Sequence, residues 1–589
     1  MKNKWIMDNK EADISLMSST LGISPVLSQV LVNRSIRTKN TAIKFLNPKL
    51  DYFHNIHELK DLEKATEILK SSLKAKEKIA IFGDYDVDGV MSTVILYKTL
   101  AFFGANLTYY IPDREKEGYA LNKTAIEKLK NDNVDLIIAC DNGIAAIEEI
   151  EHAKNLGMRV IVIDHHEAVI NKDLGGEYTE VLPDADAIIN PKQKECGYKF
   201  KLMCAAGVCY RFAQAFFEHM KEDDEAELLN ELLIFASIAT FCDVVELQED
   251  NRIIANYGLQ QLNGQVSNIG LLALMEEKNL KPTKIDEFSI GFVIGPCINA
   301  AGRLKTAALA VQLFLTEDIE EAKSIAKELS QLNEERKLMT KAATEDILEE
   351  IAATSGNVLV LYSEKIHESI AGIVAGRIKD KLNKPTIVLT KGDNMAKGSA
   401  RSIVGYNIFY ELSKCKELFD RFGGHEMAAG LSLPAENIDE LRNKINKNFA
   451  MEKEQMQKVI TIEKELELKN INYALAKELT ILQPFGKGND QPVFLSRRVR
   501  VKELRLIEEK NTIIFGFEVE EYRNIKGISF GLIDQFKEII YTNFDSYDAE
   551  KITKGVLRNV ELFLDIVYYI DINDYNGDIS IQLKIVDMK

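Results

Sequence analysis

Asp164-His165-His166 puts three metal-competent side chains in a row at the end of an apolar run, Arg159-Val160-Ile161-Val162-Ile163. The run reads as a buried parallel strand. A strand ending in carboxylate and imidazole places them at its carboxyl edge, where open α/β sheets build their sites. The pattern occurs twice upstream. Ile79-Ala80-Ile81-Phe82-Gly83 leads into Asp84-Tyr85-Asp86-Val87-Asp88-Gly89, and Leu136-Ile137-Ile138-Ala139-Cys140 leads into Asp141-Asn142-Gly143. A weaker fourth piece is Asp243, which follows the helical-looking run from Leu232 to Thr240.

Carboxylates with one or two imidazoles suit Mn²⁺, Mg²⁺ or similar ions and lack the thiolates that favour structural zinc. So many acids repel one another unless cations neutralise them. Two divalent ions sharing a carboxylate would do so, and would activate water and steady a phosphoryl transition state. Each piece alone has a structural alternative, since an Asp at a strand end is often a helix N-cap and Asp-Gly is an ordinary turn pair. Three in register on successive strands favour a metal site.

The elements that must position these residues follow from periodicity. Residues 1–75 read as a helical, polar leader. From 76 to 315 strands and helices alternate, as in a doubly wound parallel sheet. Residues 316–353 contain neither Gly nor Pro and repeat apolar residues at Ile319, Ala322, Ala326, Leu329 and Leu332, with Thr316 able to cap the start. One helix of that length would run roughly 55 Å and join two domains. Residues 354–455 read as a second α/β domain. From 459 to 589 short β runs dominate and fit an oligonucleotide-binding (OB-type) β-barrel or a small barrel without a ligand. Residues 535 to 560 look like a polar, helical insertion in it.

Of the 589 residues 74 are basic and 91 acidic, a net charge of −17. That argues against a passive nucleic-acid coat, which needs clustered Lys and Arg, but not against an enzyme with a local basic channel. Seven scattered cysteines without a C-x-x-C pair indicate neither a disulfide framework nor a zinc ribbon. No apolar run is long enough to span a bilayer and no signal-peptide core follows Met1, so no membrane association and a cytoplasmic location are expected.

Basic residues recur away from the acids. In Lys397-Gly398-Ser399-Ala400-Arg401-Ser402, a glycine, two hydroxyls and two cations suit an anionic oxygen cluster, with a solvated loop as the alternative. Gly423-Gly424-His425 would allow close backbone approach to a ligand, although glycine pairs usually mark turns. Arg497, Arg498, Arg500, Lys502 and Arg505 form the densest basic stretch. Strand alternation would put Arg498, Arg500 and Lys502 on one face, either as a track for a single strand or as a solvated charged strand.

The motifs at Gly83–Gly89, Asp141–Gly143, Asp164–His166 and Asp243 resemble those of the DHH phosphoesterase family. The match to its exonuclease branch extends over nearly the whole chain. It is carried by Ile111-Pro112-Asp113-Arg114 with Glu117-Gly118-Tyr119, Asn299-Ala300-Ala301-Gly302-Arg303-Leu304, the 397–402 loop, Arg421-Phe422-Gly423-Gly424-His425, and Leu482-Gln483-Pro484-Phe485-Gly486 with Gly488-Asn489. The resemblance implies a DHH domain, a connecting helix, a DHH-associated domain and an OB barrel. It implies a 5′→3′ exonuclease for single-stranded DNA that releases 5′-mononucleotides in repair and recombination. Two Mn²⁺ or Mg²⁺ ions per site are expected on Asp86, Asp88, Asp141, His165 and Asp243, with Asp141 bridging. Asp84 would ligate or orient, and His166 would contact the scissile phosphate or support the site. Arg114, Arg303, Arg377, Ser399, Arg401, Gly423, Gly424 and His425 would bind substrate. A single-strand-binding protein and a helicase are the implied partners of a monomer. Cys297 and Asp113 depart from the family pattern, where Arg and Asn are expected. The rival readings are a DHH enzyme for dinucleotides or short oligoribonucleotides, and a catalytically silent replication scaffold.

Overall fold

The computed structural model describes residues 3–589 except 115, 119, 173–177, 223, 265, 352–355, 393–394, 453, 521–522 and 576–577. Tyr119 and the pair Gly175-Gly176 therefore lie outside the described residues. The chain divides into two compact units, Leu50–Met456 and Met1–Lys49 with Gln457–Lys589.

In the first unit five parallel strands carry the acids. They are β1 (Lys78–Phe82), β2 (Asn106–Tyr110), β3 (Leu136–Cys140), β4 (Arg159–Ile163) and β5 (Ala187–Ile189), in the order β2-β1-β3-β4-β5. The order reverses between β1 and β3, so the crevice beyond their carboxyl ends is the switch point where doubly wound sheets take ligands. Alternation sorts the side chains. Ile79, Ile81, Ile138, Ile161 and Ile163 face one helical layer, and Ala80, Phe82, Ile137, Val160 and Val162 face the other. Both faces are covered, which explains why the runs are apolar throughout.

The first layer includes α1 (Val87–Phe102), α2 (Ala205–Met220), α3 (Ala226–Cys242) and α4 (Gly295–Leu304). The connecting helix α5 spans Ile319–Ile351, about 50 Å at 1.5 Å per residue. Its cap is not Thr316 but Asp318, whose Oδ1 accepts from Glu320 N at 2.8 Å and Glu321 N at 3.0 Å. Ala322, Ile325, Ala326 and Leu329 anchor its first half in the core below the sheet. Ala343 and Ile347 anchor its second half in the next core, with α6 (Ala371–Leu382). That second domain holds β6 (Leu359–Tyr362), β7 (Thr386–Lys391), β8 (Ala396–Arg401), β9 (Arg421–His425) and β10 (Ala428–Leu433). They form a mixed sheet in the order β9-β10-β8-β7-β6.

The other unit contains a closed barrel of β11 (Phe494–Ile507), β12 (Thr512–Glu520), β13 (Arg523–Phe530), β14 (Leu562–Tyr575) and β15 (Asp578–Met588). The order is β11-β12-β13-β15-β14, and pairing of β11 with β14 closes it. Two sequence expectations change here. The leader is not one body: residues before 50 belong with the barrel, and Lys4–Met7 forms a strand parallel to Val459–Ile462. The 535–560 segment is not a polar insertion, because Phe536, Ile540 and Ile552 of its helices are buried in the barrel core.

Candidate metal centre and phosphate groove

Each proposed metal-site residue sits where a backbone element stops. Asp86 caps α1, with Oδ1 accepting from Asp88 N at 2.9 Å and Gly89 N at 3.1 Å. Gly89 is required there, since a Cβ would come within 2.5 Å of Asp84 N. Asp88 accepts from Ala205 N (Oδ2, 2.7 Å) and Ala206 N (Oδ1, 2.8 Å) at the start of α2. Asp141 follows β3 with φ 61°, a conformation that aspartate tolerates better than most residues. Asp243 closes α3. The N-cap alternative is thus realised at Asp86, in addition to its place among the acids.

These groups converge. His165 Nε2 lies 3.3 Å from Asp141 Oδ1 and 3.7 Å from Asp88 Oδ2, and its Nδ1 lies 3.9 Å from Asp243 Oδ2. Three sets could each hold a cation: Asp84, Asp86 and Asp141; Asp88, His165 and Asp243; and Asp141, His165 and His166. Asp141 and His165 each belong to two of them, and of these Asp141 has the two carboxylate oxygens that bridging needs.

Electrostatics tests whether cations fit. Burial and repulsion from neighbouring aspartates push Asp84, Asp86 and Asp141 above the usual carboxylate range. Burial with Asp88 and Asp86 pushes Asp243 up to about 8. Asp84 is 1% exposed, and its Oδ1 has no hydrogen-bond partner. The protein's own groups leave this charge uncompensated, and hard divalent cations fit the donors. Burial lowers His165, favouring the neutral imidazole that a ligand must be.

Asp164 does different work. Its Oδ1 takes His166 Nδ1 at 2.7 Å and two backbone N–H groups, and its Oδ2 takes Ile144 N at 3.1 Å. Burial opposes ionisation, but these bonds and the two imidazoles outweigh it and hold Asp164 at about 2. His166 is raised in turn, its bond to Asp164 overcoming burial. Asp164 therefore orients His166 rather than joining the cation sets.

Next to the acids is a cavity of about 390 Å³ lined by Tyr85, Arg114, Arg303, Gly372, Ser399, Arg401 and Gly423, among others. Arg401 donates to Ser399 Oγ at 2.7 Å, Arg303 to Ser369 O at 2.7 Å, and Arg114 lies 4.9 Å above the Tyr85 ring. Gly372 makes room for Arg401, whose Nη2 would be 2.7 Å from a Cβ there. Burial and the neighbouring guanidiniums of Arg114, Arg336 and Arg401 lower Arg303 to about 10. Among the described residues Arg114, Arg303, Arg336, Arg377 and Arg401 form no ion pair; the hydrogen bonds of Arg303, Arg336 and Arg401 go to carbonyls, Ser399 and Asn333.

Not every expected residue reaches this cavity. Gly424, His425 and Arg377 do not line it: His425 is exposed at the β9–β10 turn and Arg377 is exposed on α6. Sequence reasoning missed Arg336, which carries no motif; its one signal is an Asn three residues earlier on the same helix. Cys297 is buried and accepts from Asn333 Nδ2 at 3.5 Å. Asp113 shapes the turn beside Arg114, accepting from Lys116 N at 3.1 Å, a role Asn would also fill.

The basic strand of the barrel keeps the expected alternation from Arg498 to Lys502, with Arg498, Arg500 and Lys502 outward and Val499 and Val501 buried. A bulge between Ser496 and Val499, with Arg498 at φ 48°, turns Arg497 outward as well. Arg497 pairs with Glu465 and Asp565, Arg500 with Glu518 and Glu561, and Lys502 with Glu518. Arg497, Arg500 and Lys502 are thus solvated and charge-matched, whereas Arg498 and Arg505 are exposed and form no ion pair among the described residues.

Residues 78–240 match the DHH family, N-terminal domain, residues 355–451 the DHHA1 domain, and residues 462–587 the RecJ OB domain. The chain is 36% identical to the single-stranded-DNA-specific exonuclease RecJ of Bacillus subtilis, over 87% of this chain and 64% of that protein's length. It is 29% identical to the protein of the same name from Salmonella typhimurium, with 100% of each covered. A crystal structure of RecJ in complex with Mn²⁺ from Thermus thermophilus superposes with a TM-score of 0.80 at 23% identity, covering 100% of this chain and 79% of that one. With three matched domains in order and similarity along its whole length, the chain belongs to the DHH phosphoesterase family, in the group that carries the RecJ barrel.

Proposed function

We propose that this protein is a metal-dependent exonuclease that degrades single-stranded DNA from the 5′ end and releases 5′-mononucleotides, in DNA repair and recombination. One observation carries the reading: Asp141 is shared between two sets of cation donors beside a pocket whose Arg114, Arg303 and Arg401 form no ion pair among the described residues. The names of the Bacillus and Salmonella relatives, single-stranded-DNA-specific exonucleases, support it, as does the barrel, which dinucleotide hydrolysis would not need. The domain division assigned is 76–315, 316–353, 354–455 and 459–589, after the leader.

Arg114, Arg303, Arg401 and Ser399 take the 5′-terminal phosphate, through charge-assisted bonds that a 5′-hydroxyl end cannot make. This fixes the first nucleotide and presents the next phosphodiester to the acids. Asp84, Asp86 and Asp141 would hold one cation, and Asp88, His165 and Asp243 a second, with Asp141 the carboxylate that could serve both. Two Mn²⁺ or Mg²⁺ ions supply charge neutralisation and an activated water when bound. The Thermus RecJ crystal contains Mn²⁺. His166, kept protonated at Nδ1 against Asp164, donates from Nε2 to a phosphate oxygen. The barrel supplies contacts to the rest of the strand. A monomer in the cytoplasm, receiving strands from a helicase and a single-strand-binding protein, completes the proposal; no single described helix is long and apolar enough to cross a membrane.

The test is nucleotide release from a long single strand, a blunt duplex and a dinucleotide, with and without Mn²⁺. Mn²⁺-dependent mononucleotides from the single strand alone are expected. Preference for the dinucleotide would replace this reading with the oligoribonuclease one.

A further inference from the structure

A second cavity, of about 210 Å³, borders the acids and shares no lining residue with the arginine cavity. Tyr85, between Asp84 and Asp86, lines the first, and His166 lines the second. Asp141 joins Asp84 and Asp86 in one donor set, and His165 and His166 in another. The order is therefore arginines, acids, His166, second cavity.

The loop that leaves β3 builds this cavity. Gly143 lies at φ 109°, and a Cβ there would meet Ala139 Cβ at 3.1 Å and Val162 Cγ1 at 3.2 Å, so the loop folds closely over the ends of β3 and β4. Leu121, Ile144 and Ala146 wall the cavity and are buried in the second helical layer. Asn142, also in the lining, is 1% exposed. Its Nδ2 donates to Cys140 O at 2.8 Å and to Phe82 O at 3.4 Å, which fixes the orientation of the amide. Its Oδ1 has no hydrogen-bond partner. Glu149 lines the cavity from the first turn of the helix Ile147–Asn155, half-buried, and forms no hydrogen bond or ion pair among the described residues. Lys123, whose charge also acts on Glu149, bonds to Glu148 at 3.0 Å instead. Apolar walls with two open acceptors suit a flat ring that brings N–H donors, and the carboxylate disfavours a phosphate.

We infer that this cavity takes the base of the second nucleotide, just 3′ of the scissile bond, and holds its N–H donors on Glu149 and Asn142. The inference rests on the proposed 5′-end reading: with the terminal phosphate on the arginines and the scissile phosphate at the acids and His166, the next nucleoside meets the second cavity. Adenine, cytosine and guanine each bring an exocyclic amine, and thymine brings a ring N–H. The subsite is therefore tolerant of sequence while requiring a base with a donor.

Full-length protein with Mn²⁺ is given single strands with a labelled 5′-phosphate that differ only at the second nucleotide. It carries adenine, unsubstituted purine (the same ring without the amine) or an abasic sugar. Release of the first nucleotide in a single turnover is followed against protein concentration. The half-saturating concentration should rise about tenfold from adenine to purine, one hydrogen bond to a carboxylate, and further for the abasic sugar. The same replacements at the fourth nucleotide should leave it unchanged. Glu149→Ala should bring the adenine and purine strands together. Ala145→Leu, at an exposed position of the lining, should weaken strands that carry a base at the second nucleotide and spare the abasic one. Equal half-saturation for adenine and purine in the unaltered protein would overturn the subsite and leave the cavity to water. So would an adenine preference that Glu149→Ala keeps, or one that arises at the fourth nucleotide instead of the second. If no strand is digested, or the 3′ end goes first, the exonuclease reading itself fails, a result distinct from these.

Discussion

In the first unit Arg114, Arg303 and Arg401 form no ion pair among the described residues, whereas on β11 of the other unit Arg497, Arg500 and Lys502 each meet one or two carboxylates. The sequence makes the second region look the more basic. The structure quiets three of its five cations, because Glu465, Glu518, Glu561 and Asp565 stand opposite Arg497, Arg500 and Lys502. A phosphate gains most from guanidiniums whose field is not already satisfied and whose hydration is already reduced by burial. Local density of Arg and Lys measures neither property.

The largest effect expected comes from the acids that the pocket serves. Asp141→Ala should lower turnover on the order of a thousandfold or more, comparable with losing a principal transition-state contact. It should also abolish the rise in Tm that Mn²⁺ gives the unaltered protein, since binding to the folded state alone stabilises it, by about 2.7 kcal/mol per site at a hundred times Kd. Near-normal turnover at saturating Mn²⁺ would remove Asp141 from the bridge.

Arg401→Ala should raise KM for a 5′-phosphorylated strand about ten- to a hundredfold, the loss of roughly 1.5–3 kcal/mol for one charge-assisted pair. The effect should be smaller on a 5′-hydroxyl strand. Equal effects on both would place Arg401 along the strand. Arg500→Ala is the matched control on β11. An exposed pair contributes about 0.2–1 kcal/mol, so KM and its salt dependence should hardly move. A change as large as that of Arg401 would show that the barrel strand grips DNA despite its acids.

The metal-free protein offers a test by pH. Asp84, Asp86, Asp141 and Asp243 all bind protons more readily folded than unfolded. Where the folded state holds more protons, stability falls as pH rises. Denaturant midpoints without metal should therefore decline from the ordinary carboxylate range, near 4, up to about 8, where Asp243 titrates. Excess Mn²⁺ should flatten the decline. A metal-free midpoint independent of pH over that window would mean that the acids do not repel one another as their burial demands.

What the sequence revealed and what it hid divide along physical lines. The acids at strand ends were legible because both faces of the sheet are buried, so each strand is an apolar run with a sharp end. Asp243 was readable from helical periodicity before it. The membership of residues 1–49 was not, because pairing of Lys4–Met7 with Val459–Ile462 leaves no local pattern. Thr316 and Asp318 are both good caps two residues apart, and only geometry chooses. The bulge at Arg497 and Arg498 depends on one left-handed residue that need not be glycine. Arg336 stands on α5, which packs against α4, a contact that no spacing along the chain encodes. Asp164, the first residue of the most conspicuous motif, serves His166 rather than the cation sets, a division that ligand types alone could not make.

Polarity is the central claim, because it follows from the order of phosphate pocket and acids. A long single strand labelled at either terminus, digested with Mn²⁺ under limited turnover, tests it most directly. The account predicts that the 5′ label appears first as mononucleotide while the 3′ label stays on long products. Early release of the 3′ label as mononucleotide would contradict it.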